Sequence, residues 1–217
     1  MSIALSLGNN LTTGGIFKPT AVNNTSVNNV TDFAGIAGGG TLVLLSTQTA
    51  SASANISFTT GIDSTYDEYV FKFISMHPAS DAVRFTVNFR DGGSSFDATK
   101  TTTFFRAKHS ESGTSAFNYE AGEDLAQSTS YQFIGNPVGN GNDESTSGTL
   151  HLFSPSSTTF VKHFISVSNL YSNSSETENN FMSGYCNVTS AIDGVDFKFS
   201  SGNIDSGTIK MYGLVKS

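Results

Sequence analysis

The chain has no tryptophan, one cysteine and four prolines among 217 residues. Charged residues make up only 13%, about half the roughly 25% of an ordinary globular domain. Each shortage excludes something. The lone Cys186 cannot build an intrachain disulfide framework, and its apolar setting predicts a buried, inert thiol. A net charge of −7 argues against nucleic acid as a partner, since that needs clustered Lys and Arg. No apolar run approaches the roughly 20 residues of a membrane-spanning helix, so no membrane partner is expected. No heptad pattern suggests a coiled coil. The opening stretch MSIALSLGNN lacks the basic start and long apolar core of a secretory signal, so synthesis in a cytosol is expected. The missing tryptophan also weakens a polysaccharide-cleaving reading, because such sites combine paired carboxylates with aromatic sugar platforms.

Small polar residues fill the gap: Ser, Thr and Asn account for 76 of the 217 positions, beside 21 Gly, 18 Phe and 7 Tyr. The first 40 residues differ from the rest. They hold seven Gly and six Asn but only two charges, Lys18 and Asp32. Apolar side chains come singly or in short groups, at Ile3, Leu5, Leu7, Ile16, Phe17, Phe33 and Ile36, and Gly38, Gly39 and Gly40 close the segment. Such a segment cannot offset its own ordering entropy. It reads as an extended arm, residues 1–40, whose anchors Leu5, Leu7, Ile16, Phe17, Phe33 and Ile36 dock onto a partner.

From residue 41 the pattern is strand-like to the end, giving a second domain over 41–217. Val83, Phe85, Val87 and Phe89 alternate with Arg84, Thr86 and Asn88, and Val195, Phe197 and Phe199 alternate with Asp196 and Lys198. A period of two places each set on one face of a sheet. Further strands are expected over 41–49, 53–59, 66–75, 101–108, 130–134, 148–153, 159–168, 181–189 and 209–215. Turn signals such as Asp91-Gly92-Gly93 and Asp193-Gly194 separate them. Residues 120–126 are the one stretch expected to hold a helical turn. Ten or eleven strands at this spacing predict an all-β, antiparallel sandwich carrying an extended N-terminal arm.

Candidate chemistry is sparse. His77, His109, His151 and His163 have no metal-ligand spacing, and only His151 and His163 sit where neighbouring strands could bring them together. There is no Gly-x-Ser-x-Gly nucleophile elbow. The run Gly139–Glu144, GNGNDE, is the best hard-cation candidate, although it lacks the ordered spacing of a calcium loop and reads more simply as a turn. The seven tyrosines, Tyr66, Tyr69, Tyr119, Tyr131, Tyr171, Tyr185 and Tyr212, could line a sugar-binding face, or sit singly at core rims. We therefore expect no catalytic residues, no cofactor and no metal.

Four stretches carry a resemblance: 42–81 (LVLLSTQTASASANISFTTGIDSTYDEYVFKFISMHPASD), KTTTFFRAKH at 100–109, LHLFSPSSTTFVKHF at 150–164 and SGNIDSGTIKMYGLVK at 201–216. The last, with Ser206-Gly207-Thr208-Ile209-Lys210-Met211-Tyr212-Gly213, is the most recognisable. Residues 41–217 resemble a group of small accessory virion proteins of tailed phages of marine and freshwater bacteria, including cyanobacteria. The resemblance implies a jelly-roll-like sandwich on a phage particle and brings no catalytic motif. The expected function is a non-enzymatic virion structural protein: a capsid decoration or cement protein anchored through its arm to a phage capsid or tail protein. It is expected to self-associate, with a trimer as the stoichiometry. The alternative is a tail or fibre component binding host surface glycans.

Overall fold

The computed structural model describes residues 42–215. They form twelve strands: β1 (Leu42–Ser53), β2 (Ile56–Phe58), β3 (Glu68–Pro78), β4 (Phe85–Arg90), β5 (Lys100–Ser110), β6 (Ser115–Tyr119), β7 (Gln132–Phe133), β8 (Thr146–Phe153), β9 (Lys162–Tyr171), β10 (Glu176–Cys186), β11 (Gly194–Phe199) and β12 (Ile204–Leu214). All named strand pairs are antiparallel. One sheet runs β2-β11-β4-β7, the other β1-β12-β3-β8-β9-β10-β5-β6. Neighbours β1-β12-β3-β8 and β2-β11-β4-β7 give the interleaved order of an eight-stranded jelly roll, so the expected all-β antiparallel sandwich is the observed fold. The remaining four strands come from two excursions, β5–β6 between β4 and β7 and β9–β10 between β8 and β11. Both add to the same edge of the same sheet, where β10 pairs with β5.

Phenylalanine supplies most of the bulk between the sheets. Phe197 of β11 lies with its ring centroid 5.6 Å from Phe71 and 5.8 Å from Phe85, and Phe73 lies 5.4 Å from Phe85. The residues read as alternating, Val83, Phe85, Val87 and Phe89 with Val195, Phe197 and Phe199, are all buried. Such offset and tilted ring pairs add stabilisation beyond their buried area. Gly148, in mid-sheet on β8, has no room for a side chain: a Cβ there would run into the Val167 carbonyl of β9.

Thr86 and Asn88 of β4 and Asp196 of β11 are buried too. Segments crossing the outside of the small sheet cover them. Asn88 donates to the carbonyls of Phe96 and Thr129, and buried Asp196 accepts from Asn55, Ser57 and the Tyr131 hydroxyl. Tyr131 lies under Lys198 Nζ, 4.0 Å from its ring centroid. Burial, then the bond to Asp196 and its charge, push the Tyr131 hydroxyl well above the usual phenol range. We expect Tyr131→Phe to cost about 1 kcal/mol in denaturant unfolding, the net worth of one such bond.

Three local expectations change. Residues 115–119, unassigned from sequence, form edge strand β6. Residues 159–161, expected to open a strand over 159–168, form the loop before β9. The expected helical turn over 120–126 is a hydrogen-bonded turn, Glu123 N to Glu120 O at 2.9 Å, and no helix follows. The arm, 1–40, with Leu5, Leu7, Ile16, Phe17, Phe33 and Ile36, lies outside the described residues.

Candidate interaction surface

The two excursions build a platform with unlike faces. β9 shows the cause most clearly: KHFISVSNLY alternates buried and exposed along almost its whole length. Outward positions are His163, Ile165, Val167, Asn169 and Tyr171 on β9 and Thr177, Asn179, Phe181, Ser183 and Tyr185 on β10. The series continues with Thr101, Thr103, Phe105, Ala107 and His109 on β5, and Ser115, Phe117 and Tyr119 on β6. None is Asp, Glu, Lys or Arg. On adjoining β8 the outward residues Ser147, Thr149, His151 and Phe153 continue the pattern. The first charged strand residues on that face are Lys72 and Glu68, on β3, and at the rim Asp124 and Glu111 accept from the Tyr119 and Tyr171 hydroxyls.

Large apolar side chains stand open on this face. Phe117 is 70% exposed, Tyr119 56% and Ile165 47%. Register sets Phe181 opposite both Val167 and Phe105, and Phe105 opposite Tyr119. The rings of Phe105 and Phe181 lie 5.0 Å apart and 9° from parallel, and Phe105 meets Phe117 at 5.6 Å. Centroids that close are stacked, not coplanar, so these two rings turn their faces to each other and their edges outward.

The inner face of the same strands holds a network of ion pairs beside the fully buried Asn180, whose side-chain amide has no hydrogen-bond partner among the described residues. Arg106 Nε bonds to Glu120 Oε1 at 2.7 Å and its Nη1 to Glu178 Oε1 at 2.8 Å, while Asn136 donates to Glu178 Oε2 at 2.8 Å. Burial pulls the Arg106 guanidinium downward in pKa, and the bonds to Glu178 and Glu120 outweigh it, leaving a net rise. Lys108 pairs with Glu176 at 2.9 Å. At the other end one register row runs Lys100, Cys186, Lys162 across β5, β10 and β9, all buried. Lys100 Nζ donates to the Ser130 carbonyl at 2.7 Å, and Lys162 Nζ to the Phe160 and Val188 carbonyls. Cys186 is free and buried, as expected, and burial pushes its thiol up to about 12.

The other sequence candidates do not converge. β8 and β9 are neighbours, but register sets His151 opposite Ile165. His151 Nδ1 lies 2.5 Å from Glu68 Oε1, and His163 meets the Tyr185 ring edge-on. In the 139–144 turn, Glu144 takes the Gly141 amide on its own carboxylate. No group of three or more His, Cys, Asp or Glu suited to a metal ion occurs among the described residues. The tyrosines scatter: Tyr69 bonds Asp63, Tyr131 bonds Asp196 and Tyr66 packs against Gly213, while Tyr119, Tyr171 and Tyr185 share the outer face of the platform. Sequence reading missed the platform itself. The signal was present in the uncharged alternate positions of 163–171 and 101–109, but nothing in the sequence showed that these distant strands adjoin.

Comparison with protein-family models, curated proteins and solved structures finds no match for this chain.

Proposed function

We propose that this chain is a non-enzymatic structural protein of a phage particle, a capsid decoration or cement protein held through residues 1–40. The observation that carries the reading is the uncharged, aromatic outer face of β9, β10, β5 and β6. Exposed apolar patches of this extent on soluble proteins mark interaction sites. A jelly roll is an architecture used by capsid and lectin domains, an analogy of fold and not of function. The low charge density of the chain, 13%, adds a surface with few ion pairs for salt to screen.

The test is the composition of purified particles. Quantitative mass spectrometry should find the chain in numbers comparable to the major capsid subunit. Removal of residues 1–40 should leave a folded protein that no longer binds particles. Absence from particles, or undiminished binding of the shortened chain, overturns the reading. Tyr119 and Tyr185, with the Ser, Thr and Asn hydroxyls and amides around them, favour one rival, a glycan-binding tail or fibre component. That rival predicts few copies per particle and binding to host polysaccharide.

A further inference from the structure

We infer that the outer face of β8, β9, β10, β5 and β6 packs against the same face of a second copy about a two-fold axis. This rests on the reading of that face as an assembly surface and names its occupant. Three features select a second copy. The first is area. Five strands about 4.8 Å apart and about nine residues long give a patch of about 24 by 30 Å, or about 700 Å². A standard stable complex covers about 800 Å² per partner. The second is shape. Two sheets with the same right-handed twist pack face to face with their strands nearly aligned, so a twisted sheet face is complementary to itself.

The third is charge. Each copy carries a net −7, so copies repel at a distance. None of the outward strand residues of this face is Asp, Glu, Lys or Arg; carboxylates touch it only at its rim, where Asp124, Glu111 and Glu68 bond Tyr119, Tyr171 and His151, and the exposed Phe117, Tyr119, Ile165 and Val167 supply the apolar area. The ring geometry points the same way. Phe105 and Phe181 have their faces engaged with each other, which suits interdigitation with edges from a facing sheet better than stacking on a flat sugar. Because one patch meets itself, closure is two-fold; three-fold closure needs two different patches.

Sedimentation equilibrium of the full chain tests this. We expect a monomer–dimer equilibrium below about 100 µM, tightening between low salt and about 0.5 M, since salt screens the repulsion between like-charged copies and no ion pair spans the contact to be weakened. Phe117→Asp, at a site exposed enough to spare the fold, should weaken dimerisation about 100-fold, because the two-fold brings both new charges into one interface. Ile165→Lys should do the same. Leu44→Asp, on β1 at the far edge of the sheet, should change nothing. A monomer at all concentrations, a trimer, a dimer indifferent to both platform substitutions, or one abolished by Leu44→Asp overturns the inference. Particle binding separates the two readings. Phe117→Asp protein that stays on particles although the wild type is monomeric sinks the dimer alone. An intact, substitution-sensitive dimer absent from particles supports the dimer and sinks the virion role.

Discussion

Replacing Glu178 with alanine should destabilise the protein by about 3–5 kcal/mol, the usual cost of breaking a buried ion pair from one side. Glu178 is almost fully buried on the inner face of β10, where one oxygen takes Arg106 and the other Asn136. Without it, Arg106 keeps only Glu120, and Asn136 loses the partner for its amide. The loss should be local as well as large. The jelly roll is held by Phe58, Phe71, Phe73, Phe85 and Phe197, which lie on strands other than those of this network, although one core continues into the platform where Phe89 meets Phe164 at 4.7 Å. Hydrogen exchange should therefore accelerate first in β5, β6, β9 and β10 and least in β4 and β11, as expected for units of unequal stability. Uniform acceleration, or a loss below about 1 kcal/mol, contradicts this division. Dimerisation should weaken in parallel, since the outer residues Phe105, Phe117 and Phe181 ride on the same strands.

Replacing Lys100 with methionine should have the opposite sign. Burial holds the Lys100 ammonium down at about 8, against the weaker upward pull of Cys186 and Asp97. A lysine released by unfolding keeps its proton to about 10.4. Between these values the native state has shed a proton that the unfolded chain retains, so wild-type stability rises as pH increases from about 8. Cys186 acts against it. Its thiol is raised from 9.0 to about 12, so above pH 9 the unfolded chain loses a proton that the native state keeps, which by itself lowers stability. The two effects offset each other up to about 10.4, so wild-type stability should rise to a plateau that begins near pH 9. Lys100→Met should flatten the rise below that point and gain about 1–2 kcal/mol at pH 7. Removal of the desolvated charge outweighs the loss of its bond to the Ser130 carbonyl. Urea midpoints at pH 7, 8 and 9 check both statements; a variant weaker than wild type at pH 7 would refute them.

Fold class was legible because the core-facing residues of β4 and β11 write an apolar period of two, even though their polar alternates are largely covered as well; β9 writes no such signal, since Lys162, Ser166 and Ser168 face inward and Ile165 and Val167 outward. The helical turn expected over 120–126 failed for a physical reason. Its carboxylates are occupied by distant arginines, Glu120 by Arg106 and Glu123 by Arg84, and the chain there is a lid over β5 and β7. The start of β10 was hidden because Glu176, Glu178 and Asn180 face inward in a polar interior, where apolar periodicity gives no signal. The platform was illegible because it joins β5 to β10. Phe105 and Phe181 are far apart in the chain, and only the register makes them neighbours. Four of the seven tyrosines face outward on the large sheet, but as side chains of separate strands, which composition cannot distinguish from a cluster.

The two excursions bear on how such a molecule is modified over time. β5–β6 reaches the rest of its sheet only through β10, and β9–β10 attaches to β8. Shortening the second excursion strands the first, whereas trimming the first bares a new edge on β10 but leaves the second attached. Loss is therefore ordered: a lineage discarding the platform must give up β5–β6 before β9–β10, and the stripped form would be a bare eight-stranded roll, closed on itself and without the aromatic plane.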